Sequence, residues 1–145
     1  MLGGSFILMF NKDRNSVLLG RRSPKAEWNP NTWCPFGGTI ENTEHPLDTA
    51  YREYQEETQI SPNLYEISSI PIFVKKTLDS NRQMHRMFLY LGILQGEIYP
   101  VINDEHSDYF WCPIEELPTY DTHPIISDLF LDDASVEIMT KLLSR

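Results

Sequence analysis

The feature that most constrains this chain is a single helical segment set between two long stretches of strand-like alternation. From Pro46 to Thr58 the apolar period changes from two residues to three or four. Pro46 suits the first helical position, where its missing N–H has no partner to lose, and Asp48 sits near the positive end of the helix dipole. Leu47, Ala50, Tyr51, Tyr54 and Thr58 fall on one side and are predicted to face the core. Beside that stripe stand Glu53, Glu56 and Glu57 at i, i+3 and i+4, so their carboxylates share a face. Like charges at this spacing destabilise an isolated helix by about 0.2–0.5 kcal/mol per pair. A solvated acidic face is one reading of that arrangement. A site for a divalent cation is the other, and hard carboxylate oxygens suit Mg²⁺ or Mn²⁺.

The flanks set the fold class. Ser5–Phe10 and Val17–Gly20 are apolar runs around a polar turn at Asn11–Ser16, which predicts a hairpin. Arg22–Asn31 reads as a loop. Thr32–Phe36 reads as a short strand running into Gly37-Gly38, a turn signal. After the helix come two strand-like runs, Leu64–Val74 and Met87–Leu94, with a polar turn around Asp79–Asn81. Tyr109–Cys112 is another short strand, Ile114–Leu117 a helical turn, and Asp133–Leu143 a terminal helix with Val136, Met139 and Leu143 on one face. Strands, one helix, strands and a last helix make an α/β chain with a mixed sheet covered by helices, read as one domain over residues 1–145.

Charge narrows the function. The net charge of -9 argues against a nucleic-acid scaffold, because phosphate backbones need clustered Lys and Arg. No apolar run is long enough to span a bilayer, and Met1–Phe10 lacks the basic start of a signal peptide, so no membrane partner and a cytoplasmic location are expected. Cys34 and Cys112 form no metal-ligand pattern and read as reduced thiols. Residues 41–57 hold six acids and one Arg52, and residues 97–133 hold ten acids and no Lys or Arg. Basic residues gather in two groups, Arg14, Arg21, Arg22 and Lys25, then Lys75, Lys76, Arg82 and Arg86. Most of these are expected to be solvated surface; an acidic cation site flanked by phosphate-facing bases is the sharper alternative.

The residues before the helix favour that alternative. Gly38, five residues, Glu44, seven residues, then Arg52-Glu53-Tyr54-Gln55-Glu56-Glu57-Thr58-Gln59-Ile60 resembles the Nudix box. All six fixed positions from Gly38 to Glu57 are filled as that pattern asks, over a span of 23 residues to Ile60. Two positions depart from it. Gln59 stands where the family has glycine, and a non-glycine residue held left-handed there costs about 1 kcal/mol. Tyr54 replaces an aliphatic residue on the core face. Just before the box, Phe36 stands where the family commonly has proline.

The resemblance implies a Nudix α/β/α sandwich with the Nudix loop-helix-loop. It also implies a Mg²⁺- or Mn²⁺-dependent pyrophosphohydrolase that cuts a phosphoanhydride bond by water attack at phosphorus. Its substrate would be a small nucleotide, either a nucleotide sugar or a nucleoside triphosphate, and a homodimer is expected. By that resemblance Glu53, Glu56, Glu57 and the carbonyl of Gly38 bind metal, Glu56 and Glu57 carry the catalysis, Arg52 positions a glutamate, and Glu44 binds metal or orients the loop. Glu105–Trp111 resembles a loop that closes many Nudix sites and can supply a base, here Glu105; an exposed acidic loop is the alternative. Arg21, Arg22, Phe36, His106 and Tyr109 are the candidate substrate contacts, with His85, His123, Trp28 and Trp33 behind them. Competing readings are a GDP-mannose-type glycosyl hydrolase, an isopentenyl diphosphate isomerase-like enzyme using Cys34, and a nucleotide-sensing module without turnover. The intact box glutamates disfavour all three.

Overall fold

A computed structural model describes residues 2–144. β1 (Leu2–Asn11) and β2 (Ser16–Arg22) form the expected hairpin. Its turn is held by the side chain of Asn11, which accepts hydrogen bonds from the backbone N–H of Asp13 and Arg14 at 2.9 and 3.3 Å. β1 begins three residues earlier than its apolar run suggests, because its whole length pairs in parallel with a later strand.

β3 (Trp33–Cys34) and β4 (Phe36–Thr39) are separated by Pro35. The Gly37-Gly38 pair is not a turn: both residues lie inside β4, antiparallel to β1 with Phe6 opposite Gly37 and Ser5 opposite Gly38. Close approach, not a left-handed backbone, explains them. A Cβ on Gly37 would sit 2.2 Å from the carbonyl oxygen of Ser5, and one on Gly38 would sit 2.4 Å from the carboxyl of Glu53.

α1 (Pro46–Thr58) has the expected bounds. Its N-cap is the ring of His45, whose Nδ1 accepts from the N–H of Leu47 at 3.1 Å. Ala50, Tyr54 and Thr58 are buried as expected, and Leu47 and Tyr51 are half-buried against the same cluster. Thr49 and Glu57 are buried too, which widens the inward face beyond the apolar stripe. Gln59 ends the helix at φ 59° and ψ 18°, with its N–H bonded to the carbonyl of Gln55.

The expected strand Leu64–Val74 is split. A 3-10 turn at Pro62–Leu64 leads into β5 (Tyr65–Ile67), an irregular stretch follows, and β6 (Phe73–Leu78) begins after Pro71. Proline has no N–H to give a ladder, so the chain cannot continue one strand through that position. Both pieces pair with β7 (Met84–Leu94), β5 at its end and β6 along its first half. The Asp79 carboxylate closes the β6–β7 turn by accepting from the N–H of Asn81 and Gln83 at 2.8 and 2.9 Å.

β8 (His106–Pro113) pairs antiparallel with β2 along its full length, with a bulge between Arg21 and Arg22. Residues 106–108 are therefore strand, not loop. A turn at 114–119, the short helix α2 (Pro124–Ser127) and α3 (Asp133–Leu143) complete the chain, and Met139 is the buried anchor of α3.

The sheet is mixed and covered on both faces. Along β1, Ile7 and Met9 join the cluster under α1, while Phe6, Leu8 and Phe10 join the cluster under α2 and α3. Among the described residues no helix is long and apolar enough to cross a membrane.

The left-handed Gln59 gives a direct stability test. Gln59→Gly removes the Cβ clash and should raise stability by about 0.5–1 kcal/mol, net of glycine's larger unfolded-state freedom. Thermal melts should register this as a rise of about 2–4 °C; a lower Tm would contradict the strained cap.

Candidate active site

The box residues assemble around one guanidinium. Arg52 lies on α1, a turn and a half from the helix start, and faces the loop that returns from β4. Its Nε and Nη2 each donate to the carboxylate of Glu44 at 2.9 Å, a bidentate pair. Nη1 donates to Glu53 at 2.8 Å and lies 3.5 Å from Glu56, and Nη2 also reaches the carbonyl of Thr39 at 3.2 Å. Thr49 adds a hydrogen bond to Glu44 at 2.7 Å. The Arg52 and Thr49 bonds hold the Glu44 carboxyl down to about 2. One arginine thus ties loop, helix and β4 together.

The glutamates differ in surroundings. Glu56 is exposed. Glu53 is mostly buried and packs where Gly38 has no side chain, and burial raises its carboxyl although Arg52 opposes the shift. Glu57 is 1% exposed. Burial, then the charges of Glu105 and Glu53, push its carboxyl up to about 9. Neither of its oxygens makes a well-aligned hydrogen bond, although the backbone N–H of Gly37 lies close enough to oppose the shift, and Nδ1 of His106, 3.2 Å from Oε2 of Glu57, has no aligned partner either. A buried, unpartnered carboxylate is expensive unless something positive meets it.

That orphaned carboxylate is the observation against which a cation can be tested. The donors at hand are the oxygens of Glu53, Glu56 and Glu57 and the carbonyl of Gly38, all hard ligands suited to Mg²⁺ or Mn²⁺. As the side chains are placed, no group of three His, Cys, Asp or Glu among the described residues is close enough to enclose an ion. The reasons are local: Glu53 is drawn to Arg52, Glu56 extends into solvent, and Glu57 leans on His106. The residue types and the uncompensated charge fit a divalent cation; ligation requires Glu53 and Glu56 to turn inward.

The other candidates divide. Arg22 bonds through Nε to the carbonyl of Trp28 at 2.8 Å, and its charge acts on Glu57 and His106, so it stands beside the carboxylates. Tyr109 is half-buried on the α1 side of the sheet, opposite Gly20. Glu105 is exposed, and its charge raises both Glu53 and Glu57.

Three expectations need correction. Phe36 is fully buried, edge-on to Tyr54, so it is core and not a stacking platform for substrate. His106 is buried on β8 and cannot reach a phosphate in solvent. Arg21 alternates to the opposite side of the sheet, where its guanidinium covers the ring of Trp33 at 5.8 Å.

The weaker candidates are structural. Trp33 packs on Phe110, His123 caps α2 by accepting from Ile125, and His85 pairs with Asp79. Trp28 is exposed. Cys34 is buried in the core, opposite Gly20 in the β2–β3 pairing and within the field of Arg22 and Glu57, and burial pushes its thiol up to about 12, so it is not a ready nucleophile. Gly20 was not singled out from the sequence, although a lone glycine inside an apolar strand run is a signal of close approach. A Cβ there would lie 2.5 Å from the ring of Phe36 and 2.7 Å from that of His106.

Comparison with known proteins agrees with the box. The NUDIX domain matches residues 3–133. The chain is 32% identical over 108 residues to the m7GpppN-mRNA hydrolase NUDT17 of Xenopus laevis, covering 68% of this chain and 33% of that protein. It is 27% identical over 117 residues to the dihydroneopterin triphosphate diphosphatase of Haemophilus influenzae, covering 72% of this chain and 70% of that one. The chain spans about a quarter to a third of the length of the curated relatives it matches first. In structure it is similar to the Nudix hydrolase RenU from M. smegmatis, with a TM-score of 0.74 at 15% identity over 98% of this chain and 85% of that one. The α/β architecture is thus the Nudix fold.

The buried Glu57 makes a prediction for the metal-free protein. Its folded pKa is raised, so its contribution to stability is full below about pH 4.5 and is lost as pH rises toward 9. Replacing it with a neutral isostere, Glu57→Gln, should therefore raise the Tm measured in EDTA, by little at pH 5 and by several degrees at pH 8. An equal or larger gain at pH 5 would contradict the burial of an uncompensated carboxylate.

Proposed function

From the premise that the chain belongs to the NUDIX domain family, matched over residues 3–133, we propose that it is a divalent-cation-dependent hydrolase of nucleoside diphosphate derivatives. The reaction is attack of water at phosphorus, with cleavage of a phosphoanhydride bond. The observation that carries this reading is Glu57: a carboxyl 1% exposed, with no cation and no well-aligned hydrogen bond to meet it, on a helix face shared with Glu53 and Glu56. A cation there offsets the charge that otherwise makes the arrangement unfavourable.

Glu53, Glu56, Glu57 and the Gly38 carbonyl would hold Mg²⁺ or Mn²⁺. When bound, such an ion neutralises charge on the diphosphate and lowers the pKa of the attacking water. Arg52 keeps Glu44 and Glu53 in place and contacts no substrate. Arg22, fixed by the Trp28 carbonyl, offers a guanidinium to a phosphate oxygen. Tyr109, on the same side of the sheet, offers a ring face to the base. Glu105 is the general base: it is exposed, near Glu53 and Glu57, and outside the set committed to the cation. The substrate is a nucleotide sugar or a nucleoside triphosphate; the second is favoured by a relative named as a triphosphate diphosphatase.

The experiment is a panel of nucleotide sugars, nucleoside triphosphates and dinucleotides with Mg²⁺, scored for phosphate with and without added phosphatase. Turnover should vanish in excess EDTA and return with Mg²⁺ or Mn²⁺. Glu56→Gln should lower kcat by orders of magnitude with the melt unchanged. Glu105→Gln should lower kcat by about 10²–10⁴-fold, with KM nearly constant and less loss at high pH. Full turnover in EDTA would overturn the metal-dependent reading, and an unchanged kcat in Glu105→Gln would remove it as the base.

A further inference from the structure

Four residues from four elements converge behind the carboxylate face: Gly20 of β2, Phe36 of β4, Glu57 of α1 and His106 of β8. The missing side chain of Gly20 leaves room for two rings, since a Cβ would lie 2.5 Å from Phe36 and 2.7 Å from His106. The Phe36 and His106 ring centroids are 4.5 Å apart, and Phe36 is braced edge-on by Tyr54 at 6.1 Å. The imidazole is therefore wedged between a strand backbone and a core aromatic and has little freedom to turn.

What this wedge presents is one nitrogen. Nδ1 of His106 lies 3.2 Å from Oε2 of Glu57, with the two side chains 4% and 1% exposed. The atoms are at contact distance but not aligned as a hydrogen bond; Glu57 has only the backbone N–H of Gly37 close by besides, and Nδ1 of His106 has no other partner. A small turn of the carboxylate aligns them. A ligating glutamate is ionised and only accepts, so the nitrogen facing it must donate.

We propose that His106 is a positioning residue whose Nδ1–H donates to Oε2 of Glu57 and fixes the orientation of that carboxylate as a cation ligand. The proposal rests on the metal-dependent reading given above. It assigns Phe36 and Gly20 a purpose as well: they hold the imidazole edge-on to the glutamate. A hydrogen bond to a ligand of this kind typically changes metal affinity by about 10–100-fold.

The chemistry of the contact picks the variants. An asparagine amide at position 106 stands close to where Nδ1 stands, a glutamine amide reaches beyond it toward the Nε2 position, and a phenylalanine keeps the ring but no nitrogen. Mn²⁺ affinity, measured by the loss of free Mn²⁺ signal in electron paramagnetic resonance, is read for each, with near-UV circular dichroism and melts in EDTA confirming the fold. His106→Asn should bind within about threefold of wild type, while His106→Gln and His106→Phe should lose about 10–100-fold. His106→Phe should also melt in EDTA at or above the wild-type temperature, because its ring still packs on Phe36. Gly20→Ala, which displaces the rings without touching a polar atom, should weaken Mn²⁺ by about tenfold.

Were the imidazole only a packing element, the order would reverse, with His106→Phe binding like wild type and His106→Asn worst. That result, or an unchanged affinity in Gly20→Ala, overturns the proposal. Absence of Mn²⁺ binding in the wild type overturns the metal-dependent reading itself, and this proposal with it, before any substitution is made.

Discussion

The bidentate pair between Arg52 and Glu44 is the contact on which the rest of the site depends. Residues 40–45 have no regular structure, and two N–H···O bonds of 2.9 Å anchor them to the second turn of α1. The same guanidinium holds Glu53 through its third nitrogen and the end of β4 through the Thr39 carbonyl. Its planar fork matches a carboxylate and leaves donors to spare, which an ammonium group at that position would not reproduce. Without it the loop would be free of the helix, and Glu53 would face Glu56 and Glu57 with no positive charge between them.

A second constraint is close approach of backbones. Gly37 and Gly38 bring β4 against β1 and against Glu53, and Gly20 lets two rings meet over β2. These glycines define the floor of the site by what they lack. The acidic face can sit directly on the sheet because no side chain intervenes. That proximity is also why Glu57 is buried: α1 lies low enough on β4 and β1 to carry a carboxylate into the interior.

Much of this was legible in the sequence, and the failures have physical reasons. Pro46–Thr58 reads correctly because helical period, a first-position proline and an N-terminal acid agree with one another. The left-handed Gln59 follows from its place after the last periodic residue. Gly37-Gly38 misleads because glycine marks both turns and tight packing, and only the register with β1 separates the two. Leu64–Val74 misleads because apolar content hides the break at Pro71. His106 misleads most. Its neighbours Glu105, Ser107 and Asp108 are polar, so the segment reads as loop, while the pairing with β2 that makes it strand involves residues more than 80 positions away. The box residues were nameable from spacing alone; the burial of Glu57 was not, since it depends on which strands lie beneath the helix.

The ten-residue parallel pairing of β1 with β7 bears on how the chain reaches this fold. Leu2 meets His85 and Asn11 meets Leu94, so the central ladder joins segments 83 residues apart. The hairpin with β2 is local and forms early, yet it covers only one end of β1, and β4 covers the rest of that same edge. The opposite edge stays bare until residues 84–94 have been synthesised and folded back. During that interval an apolar strand buried on both faces in the final structure offers unpaired N–H and C=O groups to any other strand. Such long-range pairing is slow to form. The strand at the centre of the finished sheet is thus the stretch most exposed to pairing with another molecule while the protein is being made.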